Sequence, residues 1–227
     1  MKTLYQRWFL EFEFPNEEGK PYKSSGGKML WNEELKQEIP DGWKVSTIKD
    51  FVKKDNRKYE SNNIAKTIDL SVMPSSSISL NDLNTSDKFT SNLNIMEEGN
   101  ILFGSIRPYL NKAGIAPCNG AVAGTVYSYK VLNESNYNFI LITLTNTRMF
   151  EFALSRAKGT RMPVVSSDDL LSYKFAYNEN IAKKFNEFKI KNIICQNIQE
   201  NQRLIELRDY LLPMLMNGQI NVDDVKI

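Results

Sequence analysis

In the last part of the chain, apolar residues recur at intervals that a helix brings onto one side. Across 182–218 (AKKFNEFKIKNIICQNIQENQRLIELRDYLLPMLMNG), Ile190, Ile198, Leu204–Ile205 and Leu211–Leu212 return about every seven residues, with Ile193, Ile194 and Leu207 between them. No proline or glycine falls between Ile181 and Leu212, and Lys, Glu, Gln, Leu and Ile dominate, a composition that favours helix. A helix over most of 181–217 would span roughly 45 Å at ~1.5 Å per residue. Asn197, Asn201 and Gln202 interrupt its seam. The pattern admits one packing helix of a globular core or a protruding coiled-coil-type arm that pairs with another helix. The length favours the arm. Pro213 and Asn217–Gly218 stop it, and 218–227 is a tail.

At the other end, Leu4, Tyr5, Trp8, Phe9 and Phe12 stand at helical spacing. Residues 1–14 therefore read as the last turns of a helix that must dock on something, because so short a helix is marginal alone. Residues 15–41 are rich in Pro, Gly, Ser and charge and read as an extended linker.

From Gly42 to about Asn180 the pattern changes to short β-rich runs broken by turns. Strands are predicted at 43–45, 67–72, 100–106, 113–117 and 124–132, a surface loop at 85–89, and one helix over 136–157. A capped turn running into a further strand is predicted at 166–175. The result is an α/β (α+β) domain over 42–180, within the usual domain size, followed by the long C-terminal helix.

Composition narrows the function classes. The 227 residues are 41% hydrophobic and 25% charged, which suits a soluble globular protein. No apolar run approaches the ~20 residues of a membrane helix. The N-terminal stretch carries two carboxylates and no small-residue cleavage site, so it does not read as a secretory signal. Two cysteines, Cys118 and Cys195, fit reduced thiols in a cytoplasmic protein. Histidine is absent, which removes most hydrolase triads and zinc sites. Net charge is only +2, and the basic excess lies in 42–180.

Catalytic patterns are weak throughout. Gly26–Gly27–Lys28 lacks the spacing of a phosphate loop. Glu187-Phe-Lys189 and Asp224-Val-Lys226 resemble nuclease tails but sit on the long helix and at the C-terminus. Neither a Pro-Pro catalytic loop nor a Gly-x-Gly cofactor turn occurs. Binding features are better developed. GSIRPYLNKAG (104–114) gathers Ser105, Arg107, Tyr109, Asn111 and Lys112 after an apolar strand. SRAKGTRMP (155–163) sets Arg156, Lys158, Thr160 and Arg161 around Gly159, and KKDNRKYE (53–60) adds Lys53 and Arg57. Arg can read guanine while Lys and Ser hold phosphates. Each stretch alone also fits a solvated surface loop; three in one domain raise the DNA reading.

These stretches closely resemble the specificity subunit of type I restriction-modification systems, and specifically its C-terminal half. The segment 4–45 resembles that family's central junction. GNILFGSIRPYLNKAGIAP and KGTRMPVVSSDDL resemble recurring recognition-domain segments, and NQRLIELRDYLLPMLMNGQI resembles the distal helix ending. The resemblance implies a target-recognition domain that binds half of a bipartite site on double-stranded DNA. It also implies docking of adenine methyltransferase subunits, with the restriction subunit as a further candidate partner. No cofactor is implied for this chain, S-adenosylmethionine being bound by the methyltransferase, and no active site. Residues 1–14 then stand for a remnant of the central helix, and a first recognition domain is lacking. Lys53, Arg57, Ser105, Arg107, Tyr109, Lys112, Lys158, Thr160 and Arg161 map to the expected DNA face. Ile190, Ile194, Ile198, Leu204, Ile205, Leu211 and Leu212 map to a helix seam expected to form a homodimer. Two other readings stand beside this one: the recognition fragment of a fused restriction-methyltransferase, and a decoy or scaffold that binds the methyltransferase without specific DNA binding.

Overall fold

A computed structural model describes residues 1–60 and 63–219, so the expected tail lies outside the described residues beyond Gln219. The chain begins with α1 (Lys2–Tyr5) and a π turn over Gln6–Leu10, then the hairpin β1 (Met29–Asn32) and β2 (Gln37–Pro40). There follow β3 (Lys44–Thr47), β4 (Val52–Lys54), β5 (Lys66–Ile68), β6 (Asn84–Thr85), β7 (Leu93–Met96), β8 (Ile101–Gly104), β9 (Ala113–Ile115), β10 (Gly120–Ala123) and β11 (Val126–Val131). The helices α2 (Tyr137–Leu144), α3 (Thr147–Arg156) and α4 (Ser167–Leu171) precede β12 (Lys174–Tyr177), α5 (Glu179–Asn186) and α6 (Ile190–Met216).

One sheet runs β4-β11-β8-β9 and is antiparallel throughout. The other runs β6-β5-β10-β7, with β5 and β10 parallel. Side chains alternate across a strand, and β8 uses both sides. Leu102, with Val126 of β11, packs against Ile68, Met96 and Val122 of the second sheet. Ile101 and Phe103 face the helices, where α2 is buried along its whole length. Such a helix, mostly apolar and buried on every side, belongs at the centre of a core. The pairing of β3 with β12 ties the start of this domain to its end.

Several expected boundaries shift. Residues 15–41 are not an extended linker: they hold the β1–β2 hairpin, Ile39 is buried, and Phe14 stacks on Tyr22 at 4.7 Å. Gly19 and Gly26 turn the backbone at positive φ, while Pro15 and Pro21 bridge each other and Pro40 ends β2. At the N-terminus Phe9 lies 4.6 Å from Phe139 and 5.3 Å from Phe185, while Phe12 and Phe14 flank Trp43. These aromatics complete the domain's own core, in which Tyr5, Trp8 and Phe9 meet the first part of the expected long helix at Phe185. The single helix expected over 136–157 is two, because Asn146 caps α3 by accepting from the Arg148 N–H. The capped turn at 166–175 is present, with Ser166 accepting from the Asp169 N–H ahead of β12.

The long helix expected over 181–217 is also interrupted. Lys189 takes a left-handed conformation (φ 41°) between α5 and α6. Phe185 and Ile190 are both buried; five residues apart, they would point about 140° apart on an unbroken helix. The break turns both toward the core.

Candidate nucleic-acid interface

Two of the three basic stretches meet. Ile106 and Val164 form a bridge, the Arg107 N–H donates to the Pro163 carbonyl at 2.7 Å, and the Val165 N–H donates to the Ser105 carbonyl at 3.0 Å. The second loop is closed on itself by Lys158 and Val164, which exchange two backbone hydrogen bonds of 2.9 Å. Gly159 turns its tip at φ +98°, where an added Cβ would lie 3.1 Å from the Met162 carbonyl. In the first loop, Arg107 and Asn111, both left-handed, flank a short 3-10 turn over Pro108–Leu110. Ser76, also at positive φ, donates its N–H to the Asn111 carbonyl at 2.8 Å. Strained backbone of this kind persists only where surrounding contacts over-determine it. Here it holds a rim of three loops.

The side chains on that rim differ in what they can do. Arg107, Lys158, Thr160 and Arg161 are exposed, as is Tyr109. No described residue forms a hydrogen bond or ion pair with the Arg107, Lys158 or Arg161 side chains. Two expected members are structural instead. Ser105 is only 3% exposed and its hydroxyl donates to the Thr125 carbonyl at 2.8 Å. Lys112 is half-buried and its Nζ donates to the Leu70 carbonyl at 2.6 Å, tying two loops together.

The third stretch lies elsewhere. Lys53 pairs across the sheet with Lys130, on the side of Leu102 and away from the helices. Arg57 is engaged by Asp55 and Glu97, each at 2.5 Å, and Lys130 also binds Glu97. The Arg57 guanidinium holds both carboxyls below the usual carboxylate range, Lys130 adding to the effect at Glu97. Lys53 and Arg57 therefore do not join the rim.

Lys54, one residue on, points the opposite way. Its Nζ sits 4.4 Å over the Tyr127 ring, and the Tyr127 hydroxyl donates to the Val165 carbonyl at 3.1 Å. Burial pushes the Tyr127 hydroxyl up in pKa, so it stays a donor. Strand alternation within KK is the signal that separates the two lysines, but it needs the strand's facing to be known.

The long helix also divides. Ile190 and Ile198 are buried against the domain, Ile198 to 2% exposure, and Ile194 packs beside them. Cys195 is buried with its thiol toward the Ala116 carbonyl at 3.7 Å, and burial pushes its pKa up to about 11. Gln199 donates to the Pro117 carbonyl at 2.7 Å, and Gln202 to that of Asn81 at 3.1 Å. Ile190, Ile194 and Ile198 are thus docking residues of this domain, not a seam open to another chain. Beyond Gln202 the helix stands free of the domain, with Leu204 53% and Ile205 49% exposed, Leu212 exposed and Leu211 half-buried.

The chain is 27% identical to the specificity subunit of the type I restriction enzyme MjaIX from Methanocaldococcus jannaschii, over 98% of this chain and 52% of that protein. It is a relative of the type I specificity subunits. It spans about half the length of that curated relative. No family model matches it. In fold it is similar to the HsdS subunit from Thermoanaerobacter tengcongensis, with a TM-score of 0.54 at 14% identity. A chain from a type I R-M system solved to explain complex assembly and conformational transition gives 0.58 at 13%. Each comparison covers 84% of this chain and 53% of the other. The mixed sheet-and-helix domain with a long C-terminal helix is the fold they share. No described helix is long and apolar enough to cross a membrane.

Proposed function

We propose that this chain acts in DNA sequence recognition as a non-catalytic subunit of a cytoplasmic type I restriction-modification complex. It binds one half of a bipartite target on double-stranded DNA and docks adenine methyltransferase subunits, which bind the S-adenosylmethionine. The observation that carries the reading is the trio of uncommitted cations, Arg107, Lys158 and Arg161, on two loops hydrogen-bonded to each other. Phosphate contacts of this kind position a protein on DNA, and an Arg beside them can read a base edge. Tyr109, Thr160 and Lys54 extend the same surface.

The free half of α6 supports a homodimer. Some 14 residues beyond Gln202 extend about 20 Å, and exposed Leu204, Ile205, Leu207 and Leu212 gain by burial at ~25 cal/mol per Å². A second copy laid antiparallel would cover them and set two identical recognition domains at opposite ends. Such a dimer reads two inverted copies of one half-site.

The test is to express the chain with its methyltransferase subunits, map the methylated motif, and measure binding of the purified complex to that duplex. A palindromic bipartite motif and specific binding are expected. A non-palindromic motif would mean pairing with a different half. Methylation by this chain alone would make it the fused-enzyme fragment, and assembly without specific binding would make it a decoy.

A further inference from the structure

We propose that Met162 reads a thymine of the half-site by contact with its C5-methyl group in the major groove, an inference that rests on the DNA-recognition reading above. Met162 is 51% exposed and lies between Arg161 and Pro163 at the tip of the 158–164 loop. An exposed long apolar side chain on a basic rim suits a partner that is both polyanionic and locally apolar. Duplex DNA meets that description at one outward-facing group, the thymine methyl. The shape of the loop selects the groove. Lys158 and Val164 bridge its two arms, and a projection two chains wide is what the major groove, at ~12 Å, admits. The tip is also preorganised. Its arms are closed by two backbone bonds, and Pro163, the residue after Met162, is held through its carbonyl by the Arg107 N–H. Little ordering of the main chain then remains for binding. The Arg161 side chain beside it stays available for a phosphate or a guanine.

The experiment uses the complete complex and duplexes carrying its mapped motif, with each thymine replaced in turn by uracil, which removes only the methyl. The wild-type complex is expected to lose about fourfold in affinity at one position, the worth of one buried methyl. Met162→Ala should bind the thymine and uracil duplexes equally, and Met162→Leu should keep the discrimination. Thermal melting of each variant checks that the fold is intact. Indifference of the wild type to uracil at every position overturns the proposal, as does discrimination that survives in Met162→Ala. A complex that shows no specific DNA binding at all overturns the recognition reading itself.

Discussion

The Arg107 N–H and the Pro163 carbonyl, far apart in sequence, meet in a hydrogen bond of 2.7 Å. That bond fixes the 104–111 and 158–164 loops as one surface, so their side chains can act on a single ligand. It also separates cations that are free to bind from cations already used by the fold.

Arg107→Ala and Arg161→Ala should each weaken DNA binding by the complex without lowering its melting temperature. A base-reading arginine costs about 1–3 kcal/mol and relaxes specificity at one position. Arg57→Ala, which removes a guanidinium bonded to Asp55 and Glu97, should leave affinity nearly unchanged. Fluorescence anisotropy with the mapped duplex distinguishes the two groups, and equal losses in all three would place Arg57 on the DNA surface.

Lys112→Ala is expected to act on stability instead. Its Nζ is bonded to the Leu70 carbonyl, and a part-buried acceptor left unsatisfied costs about 1–3 kcal/mol. Urea unfolding should show the loss, whereas a pure phosphate contact would leave the midpoint in place and lower DNA affinity alone.

Charge placed along α6 should have two different effects. Ile198→Glu puts a carboxylate into the docked part of the helix and is expected to destabilise the domain. Leu204→Glu with Ile205→Glu falls on the free part and should yield folded monomers. Light scattering with circular dichroism separates these outcomes. A wild-type chain that is monomeric at micromolar concentration would remove the dimer.

Cys195 should report on helix docking. With its pKa raised to about 11, only about one thiol in a thousand is ionised at pH 8, and thiolate is the reactive form. Iodoacetamide should therefore modify the half-buried Cys118 first and reach Cys195 only when α6 lifts from Ala116. Ile198→Ala, by loosening that contact, should speed labelling of Cys195 as read by mass spectrometry. Rapid labelling of Cys195 in the wild type would mean that α6 is not docked in solution.

The sequence by itself determined the local features. Alternation and turns placed strands near 101–104, 113–115 and 126–131, Ser166 marked a helix start, and the apolar repeat over 190–216 marked a long helix. It also marked Arg107, Lys158 and Arg161, because basic residues beside Gly and Pro at strand ends are turned outward. Tertiary structure decided the rest. Whether a lysine is free depends on which carbonyl or carboxylate the fold brings within reach, and Lys112 and Arg57 met theirs through Leu70 and Glu97. Which side of β4 faces the rim, and hence the choice of Lys54 over Lys53, depended on strand pairing with β11. The break at Lys189 carries no glycine or proline to announce it, since it arises from the need to bury Phe185 and Ile190 together. The same apolar spacing serves Ile198 and Ile205, but the domain covers the first and ends before the second. Periodicity records that a face must be buried; only the packed chain settles against what.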